Sequence, residues 1–221
     1  MNQIKLFVLF TLMNLSLVYS CQENVDSNKK KPGISNNKAT RKVSTSHDTV
    51  LLVLMDFKEI NLTNSVATII TSFYHHPVRI MWGKLPRFAY FKERNRYKAD
   101  SLISYLSALN NSRYRFVAGI TSKDISTNNY KSKQDWGIFG LGSLSNKGCI
   151  ISTYRLKKHA SIALLTERVQ KVVLHELGHN YGLRHCTTPY PCVMKPAKGS
   201  IKNVDIEPMD LCKSCRATIH Y

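Results

Sequence analysis

Acidic residues are scarce in this chain: fourteen Asp and Glu stand against 32 Lys and Arg, a formal net charge of +18 over 221 residues. Such a surplus suits nucleic acid, an anionic membrane surface or an acidic substrate. The clustering and recognisable modules of nucleic-acid binders are missing. Apart from Lys29-Lys30-Lys31 the basic residues are scattered, so nucleic acid is an unfavoured partner. Paired carboxylates at acid/base spacing are missing too, and Asp48 and Asp56 each stand alone. There is no internal repeat, no sign of a second domain, and no motif that announces an amino-terminus clamp. What remains, 43% hydrophobic and 21% charged, is enough for one soluble globular domain with a real core.

The N-terminus, MNQIKLFVLFTLMNLSLVYSC, has a basic start at Lys5 and an apolar stretch from Leu6 to Leu17. It is too short for a membrane-spanning helix and reads as a signal peptide over 1–20. Leu17-Val18-Tyr19-Ser20-Cys21 resembles a bacterial lipobox, with cleavage before an acylated Cys21. An ordinary secretory peptide, with Cys21 a bystander, is the competing reading. The expectation is thus an exported, membrane-anchored bacterial lipoprotein, or else a secreted protein. Residues 21–47, rich in Asn, Ser, Lys and Thr, read as a disordered basic tether, and the folded domain spans 48–221.

Within that domain TVLLVLMDF (49–57) reads as a buried strand, 62–75 as a helix, 77–82 as a strand and 96–111 as a helix. A strand follows at 113–121. Two more fall within 137–156, joined around Ser145-Asn146-Lys147-Gly148, and a long helix covers 160–183 with apolar residues at 162, 165, 169, 173 and 177. Strands alternating with helices predict an α/β fold, a mixed β-sheet layered with helices. Cys149, in an apolar run, reads as a buried unreactive thiol. His75, His76, His47, His159 and His220 read as isolated or surface residues, and the sequon at 61–63 would carry little weight if the source is bacterial.

HELGHNYGLRH (175–185) carries the chemistry. His175 and His179, four residues apart, project from one helix face, with Glu176 beside them. H-E-x-x-H is a zinc-protease signature in which the two His bind metal and Glu is general base. Gly182 can turn the chain and bring back His185 as third ligand, leaving the fourth position open to water. HExxHxxGxxH resembles the metzincins, which carry a Met-turn downstream; Met194 fits it. Cys186, Cys192, Cys212 and Cys215 form C-x5-C and C-x-x-C pairs. That spacing suits a structural zinc bound by four thiolates, with two disulfides as the alternative.

HELGHNYGLRHC, C-V-M at 192–194 and C-K-S-C at 212–215 resemble the archaemetzincins. The likeness extends upstream to FGLGSLSNKGCIISTYRL (139–156), with a Ser/Thr-x-x-Arg-Leu end, and to the Thr-x-x-Asp in GITSKDI (119–125). The resemblance implies two Zn2+ per chain. His175, His179 and His185 would hold the catalytic ion, with Glu176 as base. Cys186, Cys192, Cys212 and Cys215 would hold the structural one, coupled to the first through the His185-Cys186 step. It also implies a cleft-edge strand within 139–145 that pairs with an extended peptide. Five residues separate Cys186 from Cys192, where the family usually has four. The expected activity is hydrolysis of peptide or protein substrates. The alternative is a zinc-stabilised binding module without turnover, which would have no need of Glu176.

Overall fold

The computed structural model describes residues 46–128, 135–144 and 147–219. The signal expectation, Cys21, the tether expectation up to residue 45, Ser145-Asn146 and His220 lie outside the described residues, while the last two tether residues belong to a short 3-10 helix, Ser46–Asp48. In chain order the elements are β1 (Val50–Met55), α1 (Ile60–Tyr74), β2 (Val78–Gly83), β3 (Tyr90–Phe91), β4 (Arg96–Lys98), α2 (Ala99–Asn110), β5 (Phe116–Thr121), β6 (Ile125–Asn128), β7 (Asp135–Ile138), β8 (Gly140–Gly142), β9 (Gly148–Ser152), α3 (Ile162–Asn180), α4 (Ile201–Ile206) and α5 (Lys213–Thr218).

The apolar run of β1 is buried at all six positions, as expected of a central parallel strand covered on both faces. Five strands form a sheet in the order β2-β1-β5-β9-β8. All pairings are parallel except β8 with β9. Leu52, Leu54, Ala118 and Ile151 face α1 and α3 in one core, whereas Leu51, Val53, Val117 and Ile150 face α2 in the other. The α/β layering expected from the alternating elements is therefore present, with β8 as the antiparallel edge next to α3.

Four expectations need correction. Arg96-Tyr97-Lys98 is not the first turn of a helix but β4, part of a second sheet ordered β3-β4-β6-β7. These strands are two to four residues long, too short to carry a periodic signal. They are held by charge: Arg155 grips Asp124 through two hydrogen bonds of 2.7 and 2.9 Å, and Lys98 pairs with Asp135. Gly137-Ile138 likewise belongs to β7 in this sheet, not to the β8–β9 hairpin. Ile162 opens α3 at 86% exposed rather than on the buried stripe; the helix starts there because the Ser161 side chain accepts the Leu164 N–H. Finally, His76 is buried, its ring lying parallel to that of Tyr181.

Candidate active site

Helix α3 runs through the core and delivers His175 and His179 at its C-terminal end. Its carbonyl at Leu174 accepts a 2.6 Å hydrogen bond from the buried Tyr74 hydroxyl, which clamps α1 to the helix one residue before the first histidine. Asn180 fixes the other side, its amide donating to the carbonyls of Ser143 and Gly148. The hairpin of β8 and β9 is thereby tied to α3.

Gly182 adopts φ +87°, a left-handed conformation that Gly enters without a Cβ penalty. The Gly182 and Leu183 amides bond back to the His179 and Gly178 carbonyls, and the reversal returns His185. The three imidazole centroids then lie 4.8, 5.0 and 5.3 Å apart. His175 Nδ1 lies 2.7 Å from the Val193 carbonyl and His179 Nδ1 2.7 Å from the Leu183 carbonyl. A carbonyl can only accept, so each Nδ1 carries the proton and each Nε2 presents a lone pair. Those two Nε2 atoms face each other at 3.1 Å. Two lone pairs at that separation repel unless a cation lies between them, and tetrahedral zinc–nitrogen bonds give an edge of about 3.3 Å. The histidines fit the ion. Burial, followed by the neighbouring His179, pushes His175 down to about 3, which keeps the imidazole neutral for ligation.

Glu176 is buried, its carboxyl pushed up to about 8 by that burial, against a hydrogen bond from the Gly142 N–H. A Cβ on Gly140 would lie 2.7 Å from Glu176 Cγ and Oε1; one on Gly142 would lie 2.2 Å from the Glu176 carbonyl oxygen. Only glycine lets this edge strand press so closely on the helix. Gly178 plays the same part below, where a Cβ would lie 2.4 Å from Met194 Sδ. Met194 is fully buried, and its carbonyl accepts the Cys186 N–H at 2.9 Å. The tight segment around it thus underlies both the histidines and the first cysteine.

The four cysteines converge as well. Their Sγ atoms all lie within 4.8 Å of one another, with Cys186 and Cys212 3.7 Å apart. This exceeds a disulfide bond of about 2.05 Å and matches the edge of a zinc–thiolate tetrahedron, about 3.8 Å for bonds of about 2.3 Å. Hydrogen bonds, first from the backbone at Cys215, pull the Cys212 thiol down to about 6, and burial pushes Cys215 up. The loop between Cys186 and Cys192 places Thr188, whose hydroxyl reaches both Cys186 and Cys212 sulfurs. Cys149 is fully buried, its thiol raised well above the usual range by desolvation, in keeping with an unreactive role.

In front of the histidines opens a cleft of about 730 Å³. Gly140, Leu141 and Gly142 of β8 line one wall, and residues 195–199 line another. The structure brings together the three expected histidines and, separately, the four expected cysteines, and it sets Glu176 and strand β8 along the cleft. Sequence reasoning missed Trp136, Arg184, Lys195, Lys198, Asn203 and Val204, all of which border the cleft. The one available signal was the proximity of Arg184 to His185 and of Lys195 to Met194.

Residues 57–221 match the profile of peptidase family M54. The archaemetzincin of Haloquadratum walsbyi is 31% identical over 144 residues, 62% of this chain and 78% of that protein. The crystal structure of archaemetzincin from Methanopyrus kandleri superposes with a TM-score of 0.66 at 28% identity, over 78% of this chain and 93% of that one. The malonate-complexed structure from Archaeoglobus fulgidus shares the fold, with a TM-score of 0.66 at 24% identity over 77% and 99% of the two chains. With its histidine and cysteine clusters assembled on that fold, the chain belongs to the archaemetzincins, peptidase family M54, and is a zinc metallopeptidase.

Proposed function

We propose that the chain cleaves peptide bonds with Glu176 as general base, that His175, His179 and His185 hold a catalytic zinc, and that Cys186, Cys192, Cys212 and Cys215 hold a second, structural one. The observation that carries this reading is the facing pair of Nε2 lone pairs beside a buried carboxylate. Zinc bound there supplies Lewis acidity, polarising a carbonyl and easing deprotonation of water. The chain does the rest. Edge strand β8 offers backbone groups on which an extended peptide can pair. Glu176, steadied by the Gly142 N–H and held ionised by the charge of an ion bound at the histidines, would accept the proton of the attacking water and hand it to the leaving amine as the C–N bond breaks. Met194, packed under Gly178, supports the floor as the Met-turn.

Domain organisation and location follow the sequence features: a signal peptide at 1–20, a lipidated Cys21 with a tether to residue 47, and an exported catalytic domain at 48–221. Among the described residues no helix is long and apolar enough to cross a membrane. A Cys21→Ser substitution should move the chain from the membrane fraction to the soluble one.

Elemental analysis of the purified chain tests the metal assignment. About two zinc ions are expected, falling to about one in His179→Ala and, separately, in Cys212→Ser. Glu176→Gln should keep both ions and lose turnover by about 10²- to 10⁴-fold. Full turnover in that variant would remove Glu176 from the reaction.

A further inference from the structure

Cations outnumber acids along the rim of the cleft. Arg184, Lys195 and Lys198 border it, and among the described residues none of the three is within 4.0 Å of a carboxylate. The fourth cation there, Lys171, is already paired with Glu167 at 2.6 Å and with the Asp205 carbonyl at 2.9 Å. Two carboxylates line the cleft, and both are engaged. Glu176 sits buried against β8, and Glu207 accepts the Cys192 N–H.

Phe139, Val172 and Val204 also line the cleft and give it apolar surface. Trp136, from the far sheet, meets the lower loop: a Cβ on Gly199 would lie 3.0 Å from Trp136 Cζ2. The indole thus bridges the two walls beside Lys198. Apolar walls focus the field of rim charges into a cleft, raising the local concentration of anions and repelling cations. A carboxylate entering here finds three cations that are in no ion pair among the described residues.

We propose that Arg184, Lys195 and Lys198 select peptide substrates that carry a carboxylate close to the scissile bond, whether from an Asp or Glu side chain or from a free C-terminus. The proposal rests on the reading of this cleft as the peptide-cleaving site, and a binding measurement separates the two. Trp82 and Trp136 are the chain's two tryptophans. Trp82→Phe therefore leaves Trp136 as the fluorescent reporter at the rim, and Glu176→Gln prevents turnover.

The zinc-loaded double variant is titrated with two matched peptide pairs, Glu against Gln beside the scissile bond, and C-terminal acid against C-terminal amide. In low salt the carboxylate form of at least one pair should bind about fivefold more tightly. The preference should fade in about 0.5 M salt and vanish when Arg184→Gln, Lys195→Gln and Lys198→Gln are combined. Whichever pair shows the preference identifies the source of the carboxylate. Equal affinity in both pairs, no binding by any of the four, or a preference that survives the triple substitution would overturn the proposal. Hydrolysis by the Trp82→Phe chain with Glu176 intact is followed in parallel; its absence would count against the catalytic reading and leave the affinity ratio to decide the charge selection.

Discussion

At position 142 a hydrogen atom is the largest side chain that fits, because the Glu176 carbonyl occupies the space where a Cβ would go. The blocking group is helix backbone, which cannot swing aside as a flexible side chain does. Gly142→Ala should therefore displace β8 or α3 by a sizeable fraction of an ångström. Misplacement on that scale costs about 10²-fold in rate, so kcat should fall by about that factor while the zinc count stays at that of the unsubstituted chain. Unchanged kcat would show that β8 gives way without affecting Glu176. The glycine-rich run at 137–142 was legible in the sequence, but its purpose was not. A one-dimensional pattern shows that Gly is present, and only the approach of a distant helix shows why.

Among the elements, α3 is tied to α4 and to the loop before it by a buried guanidinium. Arg168 donates to both oxygens of Asp205 on α4, at 2.6 and 2.8 Å, and to the Leu156 and Lys158 carbonyls, at 2.9 and 2.8 Å. It joins the helix, the loop before it and the short helix that walls the cleft. Arg168→Met keeps the stem packing but leaves two carbonyls and a carboxylate without their donor. Stability measured by denaturant should drop by about 3 kcal/mol. The pair also sets a pH dependence. The hydrogen bond from Arg168 holds the Asp205 carboxyl below its usual range. Its folded pKa is thus depressed, so its stabilising contribution is complete above the unfolded carboxylate pKa and is lost as pH falls through the folded one. Arg168→Met should flatten this part of the acid stability curve; an unaltered acid limb would mean that the pair is not a source of it. The helix itself was legible from its 3.6-residue periodicity. Its partner α4, six residues long, was not, since so short a helix owes its existence to tertiary contacts.

For the whole molecule, the proposed four-cysteine zinc would brace the C-terminal segment. Helices α4 and α5 are six residues each and bury few residues of their own, whereas the five-stranded sheet has two packed cores. Stripping metal with a strong chelator should lower the melting temperature by at least about 10 °C, given that structural zinc is worth several kcal/mol and each kcal/mol shifts a domain of this size by about 2–4 °C. Limited proteolysis of the stripped chain should cut first after Cys186, leaving a core from β1 to α3. Cleavage spread evenly along the chain would show instead that metal supports the entire fold.

Covalent spacing determined much of this protein outright. Two histidines four residues apart on a helix, a glycine positioned to reverse it and paired cysteines at chelating spacing are local facts, and the resemblance to a zinc peptidase family was readable from them without knowledge of the remaining chain. Long apolar runs such as β1 were equally readable, because burial on both faces leaves a local mark. The charge-held second sheet, the burial of His76, the glycine contacts of β8 and the cationic rim were decided by tertiary structure alone. Each arises where segments far apart in sequence meet, as Arg155 meets Asp124 and Trp136 meets Gly199. The energy of such a meeting depends on distance and desolvation, and neither has a value until the chain has folded.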